Sequence, residues 1–414
     1  MEHSQQLAIL DELLAKLDSG VSADAGAQAL NPASVYIDPD LAAREWQVFF
    51  REHPQLVGLS GDLPEPQSFL TCGDFGVPVL ATRDERGTFR AFVNACRHRG
   101  TQLTDTPRGS ARRFSCPFHG WTYAPDGRLA AVADAATFGP VNRDCMGLIE
   151  LSAVERYGLL WVHPQPGATI DVDALLGDFA SEIAGFHCEE LIYRGGRQLE
   201  KRMNWKLAND SFGETYHFAR LHRDTVNNIF HGNLIACASA GRNHRMVFPN
   251  RSLAKLRNKP REQWQLPANC SVLYYLFPNI QLVLTARHST LFRIYPAGPD
   301  PTHSRTQMSH YFSREALELL DSGAKTVINR SNVYNPNARD GNAVVSPEAS
   351  MEIVDSTVEN EDYRIAESTQ RTIESGLIEN FLFGRNEVPL HHFHNHFRAA
   401  LNMPPLQSPP TVLP

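Results

Sequence analysis

Two short cysteine–histidine pairs constrain this chain more than anything else in it. Cys96-Arg97-His98-Arg99-Gly100 is followed, after 17 intervening residues from His98, by Cys116-Pro117-Phe118-His119-Gly120-Trp121. Each pair ends on a glycine that lets the backbone turn back, so two thiolates and two imidazoles can converge from two loops. Such loops need a rigid frame. From about residue 58 to 166, β-branched and aromatic runs at 77–82, 88–93 and 159–163 are separated by Gly, Pro and Asp-Gly turns. Asp126-Gly127 is a tight-hairpin pair. This block is expected to be a compact, mostly β domain.

Two thiolates on one iron and two imidazoles on the other are the ligand set of a Rieske [2Fe-2S] centre, whose neutral ligands raise its potential. Zinc also accepts two Cys and two His, although the order and intervals here are unusual for a zinc finger. The other five cysteines, at 72, 145, 188, 237 and 270, read as packing residues. Seven cysteines are an odd number, and the N-terminus carries no basic-then-apolar secretion signal. A reducing, cytoplasmic setting is expected rather than a disulfide framework. Lys and Arg number 39 against 46 Asp and Glu, a net −7, with no long basic run. Nucleic acid and anionic membrane faces are therefore poor partners, and no apolar run is long enough to span a bilayer.

Leu7, Leu10, Leu13, Leu14 and Leu17 recur at helical spacing and Gly20 closes the run. After residue 166, helices are expected near 173–188, 208–222, 314–330, 358–376 and 388–401. Strands are expected at 244–249, 271–285, 290–296 and 305–312, and residues 402–414 read as a proline-rich tail. Without βαβ alternation, this pattern predicts an α+β domain around an antiparallel sheet.

A second constellation lies in that domain. Asn204-Trp205-Lys206 leads to Glu214-Thr215-Tyr216-His217 and on to Leu221-His222. On a continuous helix Glu214, His217, Phe218, Leu221 and His222 share one face, and charged groups buried there need compensation. His217 and His222 stand about 140° apart on an ideal helix, so both reach one ion only if the helix distorts before His222. Asp362 falls on a stripe with Ala366, Thr369 and Ile373, and Glu361, Arg364, Glu367 and Arg371 lie off it. Two His and one carboxylate are the facial triad of non-haem Fe(II) oxygen chemistry. Taken alone, these residues read more readily as two satisfied histidines and a helix-terminal or surface acid.

Together the residues resemble the oxygenase α (terminal oxygenase) subunit of the Rieske non-haem iron oxygenases, the aromatic-ring-hydroxylating dioxygenase family with its related monooxygenases. The likeness rests on Cys-x-His-x17-Cys-x2-His, Asn-Trp-Lys and Glu-x-x-His-x4-His, and Glu361-Asp362 with Gln370, and 383–387, look like the family too. It implies an all-β Rieske [2Fe-2S] domain over 51–166 and a catalytic mononuclear iron domain over 167–414, its antiparallel sheet flanked by helices. Residues 1–50 would be a helical segment packing on the catalytic domain. Cys96 and Cys116 would hold one cluster iron, His98 and His119 the other, and His217, His222 and Asp362 a mononuclear Fe(II). Glu214 would link the two centres across a subunit interface, accepting a hydrogen bond from His119.

The implied activity uses O2 and NAD(P)H electrons, delivered by a separate reductase with or without a ferredoxin, to hydroxylate or dihydroxylate a small aromatic substrate. The chain has no glycine-rich dinucleotide fingerprint of its own. A homotrimer is implied, with or without a β subunit. Two positions depart from the common pattern. Most ring-hydroxylating members have Asp where this chain has Glu214, and Glu occurs in a branch that includes quaternary-amine oxygenases. Hydroxylation or oxidative dealkylation of a methylated or quaternary amine is therefore the alternative. Asp210 stands where many members have Asn. A Rieske electron carrier or zinc-binding protein, the alternative of another class, would have no use for Glu214, His217, His222 and Asp362.

His391, His392, His394 and His396 do not share one helical face and are expected on a solvated or interface helix. Arg287 and Arg293 are expected in internal salt bridges, with a substrate carboxylate as the other reading.

Overall fold

Trp46–Leu175 and His187–Ile192 pack as one unit, and Met1–Glu45, Leu176–Phe186 and Tyr193–Pro414 as another, in a computed structural model that describes residues 1–321 and 346–410. Among the described residues no helix is long and apolar enough to cross a membrane.

The first unit is built of short antiparallel strands. One sheet has the order Glu150–Leu151, Phe89–Val93, Val79–Arg83, Ser68–Cys72 and Arg108–Ser110. A second joins Ala153–Arg156, Leu159–Val162 and Gln55–Leu59, and a third joins Phe114–Ser115, Thr122–Tyr123 and Leu129–Ala131. Asp126-Gly127 makes the expected turn in that third sheet, where Gly127 has φ 83° and any Cβ would lie 2.3 Å from the Phe92 ring. Phe69, Leu80, Phe92, Phe114, Trp121 and Tyr123 form the core, and Cys96 and Cys116 are buried in it.

The second unit centres on a seven-stranded sheet. Ala236–Ala240, Asn243–Pro249, Cys270–Leu276, Ile280–Leu284, His288–Pro296 and Ser304–Phe312 run as an antiparallel meander, and Ile192–Lys201 lies beside the last of them. The α+β class is as expected, but several elements differ. The 271–285 run is a hairpin, not one strand. Residues 173–188 hold two short helices, Val172–Leu176 and Phe179–Ala184, and 314–330 begins with Arg314–Asp321, its remainder lying outside the described residues. Residues 402–410 are not a loose tail: the Leu30 N–H donates to the Gln407 carbonyl at 2.7 Å, and the Leu406 N–H to Asn395 Oδ1 at 2.9 Å.

The helix His3–Ser19 buries Ile9, Leu10, Leu13 and Leu14 and ends at Gly20 with φ 67°. Asn204 caps Trp205–Asp210, its side chain accepting the Lys206 N–H. Lys206 is fully buried and pairs with buried Glu45 at 2.5 Å, and the Trp205 indole N–H donates to the same carboxylate at 2.6 Å. Gln370 Oε1 accepts the Asn204 N–H at 2.9 Å. Asn204, Trp205, Lys206 and Gln370 thus fix the start of the segment that carries His217. On the histidine-rich helix Val388–Ala400, expected to be solvated or at an interface, His391, His392 and His396 are partly exposed, but His394 is fully buried and its Nε2 lies 2.9 Å from Asp210 Oδ1.

Candidate active site

The expected helix over 208–222 is absent. The α-helix stops at Asp210, the chain turns through Gly213, and a single 3-10 turn, Tyr216–Ala219, follows. Leu390 packs so closely on Gly213 that any Cβ would lie 2.2 Å from its Cδ2, so a side chain here would displace Leu390. This is the distortion the His217–His222 spacing demanded, and it brings the two rings together with centroids 4.9 Å apart. Asp362 ends a π-helical turn, Val358–Asp362, between Pro347–Thr357 and Tyr363–Glu374. Such turns recur at functional sites because they shift the phase of a helix. The buried stripe is accordingly Tyr363, Ala366, Gln370 and Ile373, one residue out of register with the expected one at its start.

Asp362 Oδ1 lies 3.1 Å from His222 Nε2 and 3.5 Å from His217 Nε2. Each imidazole turns its other nitrogen to a second carboxylate: His217 Nδ1 meets Glu214 Oε1, and His222 Nδ1 lies 2.8 Å from Glu361 Oε2. Glu214 also accepts the His217 N–H at 3.1 Å, and Glu361 accepts the Thr225 hydroxyl at 2.9 Å. Burial pulls both imidazoles down, but the carboxylates outweigh it, raising His217 to about 10 and His222 above its usual range. Burial pushes Asp362 up, yet the two imidazoles hold it below the ordinary carboxylate value. Three carboxylates converge on two imidazoles. With the rings neutral, as ligation requires, that cluster calls for a cation. An inner carboxylate and two rings, each oriented by an outer carboxylate, fit one divalent ion.

The other cluster repeats one loop twice. The Gly100 N–H donates to the Cys96 carbonyl at 2.8 Å and the Gly120 N–H to the Cys116 carbonyl at 3.0 Å. Both glycines are left-handed, with φ 78° and 68°. The His98 and His119 ring centroids are 4.6 Å apart, and His98 stacks on Trp121. His98 Nδ1 is buried without a hydrogen-bond partner, as a nitrogen reserved for a metal would be. The Tyr123 hydroxyl sits 3.4 Å from Cys96 Sγ and accepts the Arg97 N–H at 2.9 Å. Among the described residues, His217, His222 and Asp362 alone bring three such donors within 4.8 Å of one another. Two thiolates and two imidazoles on paired loops are the ligand set of a two-iron Rieske centre.

Beside His217, His222 and Asp362 opens a cavity of about 230 Å³. Phe212, Phe218, Phe230, Phe248 and Phe292 line it together with Leu273 and Met246. Among the described residues lining it there is no Lys or Arg, so neither Arg287 nor Arg293 meets a substrate carboxylate there. Arg293 is buried and donates to Ser309 Oγ at 3.1 Å.

Residues 188–403 match the family described as the ring hydroxylating alpha subunit (catalytic domain), more than half of the 414-residue chain. The chain belongs to that family. Residues 53–142 of this α subunit match the Rieske [2Fe-2S] domain. The glycine betaine monooxygenase oxygenase subunit of Chromohalobacter salexigens is 30% identical over 200 residues, covering 48% of this chain and 44% of that protein. The anthranilate 1,2-dioxygenase large subunit of Acinetobacter baylyi is 27% identical over 204 residues, covering 48% and 43%. In both cases the match spans less than half of the relative's length. The quaternary ammonium Rieske monooxygenase CntA, in complex with substrate L-carnitine, superposes with a TM-score of 0.69 at 18% identity, covering 90% of this chain and 95% of that one.

In this α subunit all four expected residues of the second constellation meet at one point. Nothing in the sequence singles out Tyr123 or His288, and Glu361 stands beside Asp362 there without a role of its own. On an unbroken helix Glu361 lies off the Asp362 stripe, and the π turn brings it to His222 instead.

Proposed function

We propose that this α subunit is the terminal oxygenase of a Rieske system, taking electrons from a separate reductase and using O2 to oxidise a small, apolar aromatic molecule. One observation carries the reading: a two-histidine, one-carboxylate cluster opens onto a cavity walled by five phenylalanines. When bound, the single ferrous ion supplies O2 activation and the cluster supplies electrons. His217, His222 and Asp362 hold the ion, and Glu214 and Glu361 orient the two imidazoles. Cys96, Cys116, His98 and His119 hold the cluster, and Glu214 is the link toward it from a neighbouring copy in a trimer. The phenylalanine wall excludes water and stacks on the substrate ring. The Rieske domain of this reading is the unit Trp46–Leu175 with His187–Ile192, somewhat larger than 51–166, and the remainder, including Met1–Glu45, is the catalytic domain.

A second reading is favoured by Glu214 and by a relative named for glycine betaine. Phenylalanine faces also accept a trimethylammonium group. Oxygen uptake by the iron-loaded protein with a generic reductase, screened across neutral aromatics, aromatic acids and alkylamines, separates the two. Uptake coupled to a neutral aromatic is expected, and uptake confined to methylated amines would replace the first reading with the second.

A further inference from the structure

We propose that one wall of this cavity is a hydrogen-bond acceptor surface, built on Ser350 and His288, that selects a neutral aromatic substrate carrying a hydroxyl or N–H donor. This deepens the oxygenase reading above and rests on it.

The wall begins with a chain of polar groups inside an apolar unit. His288 and His310 lie on adjacent antiparallel strands, with Thr290 directly opposite His310. Asp355 and Ser350 come from the helix Pro347–Thr357. Asp355 Oδ1 lies 2.8 Å from His310 Nε2, His310 Nδ1 lies 3.0 Å from His288 Nε2, and His288 Nδ1 lies 2.9 Å from Ser350 Oγ. All four side chains are buried. Of them, His288 and Ser350 line the cavity.

With both rings neutral, the Asp355 carboxylate sets the direction of the chain. A carboxylate only accepts, so His310 donates from Nε2 and its Nδ1 must accept from His288 Nε2–H. That leaves His288 Nδ1 as an acceptor, which takes the Ser350 hydroxyl proton. Burial holds His288 far below its usual value, at about 3, so the ring is neutral. Ser350 therefore keeps only lone pairs for the cavity. Three other lining hydroxyls are committed the same way. Thr285 donates to the His288 carbonyl at 2.7 Å, Thr225 to Glu361 at 2.9 Å, and Ser211 to the Ala208 carbonyl at 2.8 Å. A substrate donor finds acceptors here. At these four hydroxyls a carboxylate or an ether finds no free donor, and among the described lining residues it finds no cation.

The test is calorimetric binding of 2-naphthol, 2-methoxynaphthalene and 2-naphthoate to the iron-loaded protein. 2-Naphthol is expected to bind about three- to tenfold more tightly than 2-methoxynaphthalene, the worth of one neutral hydrogen bond, with 2-naphthoate weakest. Ser350→Ala should erase the preference of 2-naphthol over 2-methoxynaphthalene. Asp355→Asn can either accept from or donate to His310, so the chain loses its fixed direction and the preference for 2-naphthol should weaken. Equal affinities in the parent protein, or a preference that survives Ser350→Ala, overturn the inference. If both neutral naphthalenes are oxidised without preference, the acceptor wall fails and the oxygenase reading stands. If neither binds and only alkylamines drive oxygen uptake, the aromatic reading falls and takes the inference with it.

Discussion

Replacing Glu361 is expected to loosen the single-ion site without touching any of its three ligands. His222 offers Nε2 toward Asp362, which leaves Nδ1–H to be held by Glu361 at 2.8 Å. That bond fixes the ring plane and raises the basicity of the ligating nitrogen. Loss of such outer partners typically costs about 10- to 100-fold in metal affinity, or about 1.4–2.7 kcal/mol. The geometry orders two variants within that range. The His222 side chain is only 3% exposed, so water cannot readily replace the carboxylate, and Glu361→Ala belongs near the upper end. Glu361→Gln keeps an acceptor and loses the charge, which places it near the lower end. Anaerobic competition with a chelator gives the Fe(II) dissociation constant, and the visible spectrum of the Rieske centre reports in the same sample that the fold is intact. An Ala variant that holds Fe(II) within about twofold of the parent, against the 10- to 100-fold expected, would refute this role.

Asp362→Ala removes the only carboxylate among the three ligands, so the chelatable iron and turnover should both vanish while the cluster spectrum persists; retained turnover contradicts the assignment. Glu45→Ala strands the fully buried Lys206 ammonium and the Trp205 indole N–H, and should cost about 3–5 kcal/mol in denaturant unfolding. A loss below about 1 kcal/mol, the worth of an exposed pair, would show that the ammonium finds water. Asp24 pairs with Arg385, whose side-chain hydrogen bond lowers its pKa from 3.8 to about 2. A depressed carboxylate stabilises the fold above its unfolded pKa and loses that contribution as pH falls through the folded one. The stability gap between the parent and Asp24→Asn should therefore close between pH 3.8 and about 2, and a gap independent of pH would sink that reading.

What the sequence disclosed, and what it hid, follow from local physics. The two Cys–His loops are legible because each must end on a left-handed glycine, and Gly100 and Gly120 stand there. The meander strands from 243 to 312 are legible because they are buried along nearly their whole length. Ile192–Lys201 is not, because its side chains are mostly polar and half exposed and include two glycines. The hairpin at 277–279 is marked in the sequence by Pro278-Asn279, a turn pair set between two runs that are both buried. The His217–His222 spacing signalled a break in the helix without locating it. Glu361 escaped because a π turn changes which residues face inward, and ideal periodicity cannot anticipate that. His394 escaped because its partners, Asp210 and Tyr36, are far away in the chain.

The central claim is that one chain holds two distinct iron centres, and metal and sulfide analysis of anaerobically purified protein tests it most directly. A two-iron cluster plus a single ion predicts about three irons and about two labile sulfides per chain. Chelation should remove about one of those irons and leave the visible spectrum unchanged. Colourless protein carrying zinc and no labile sulfide would contradict the account.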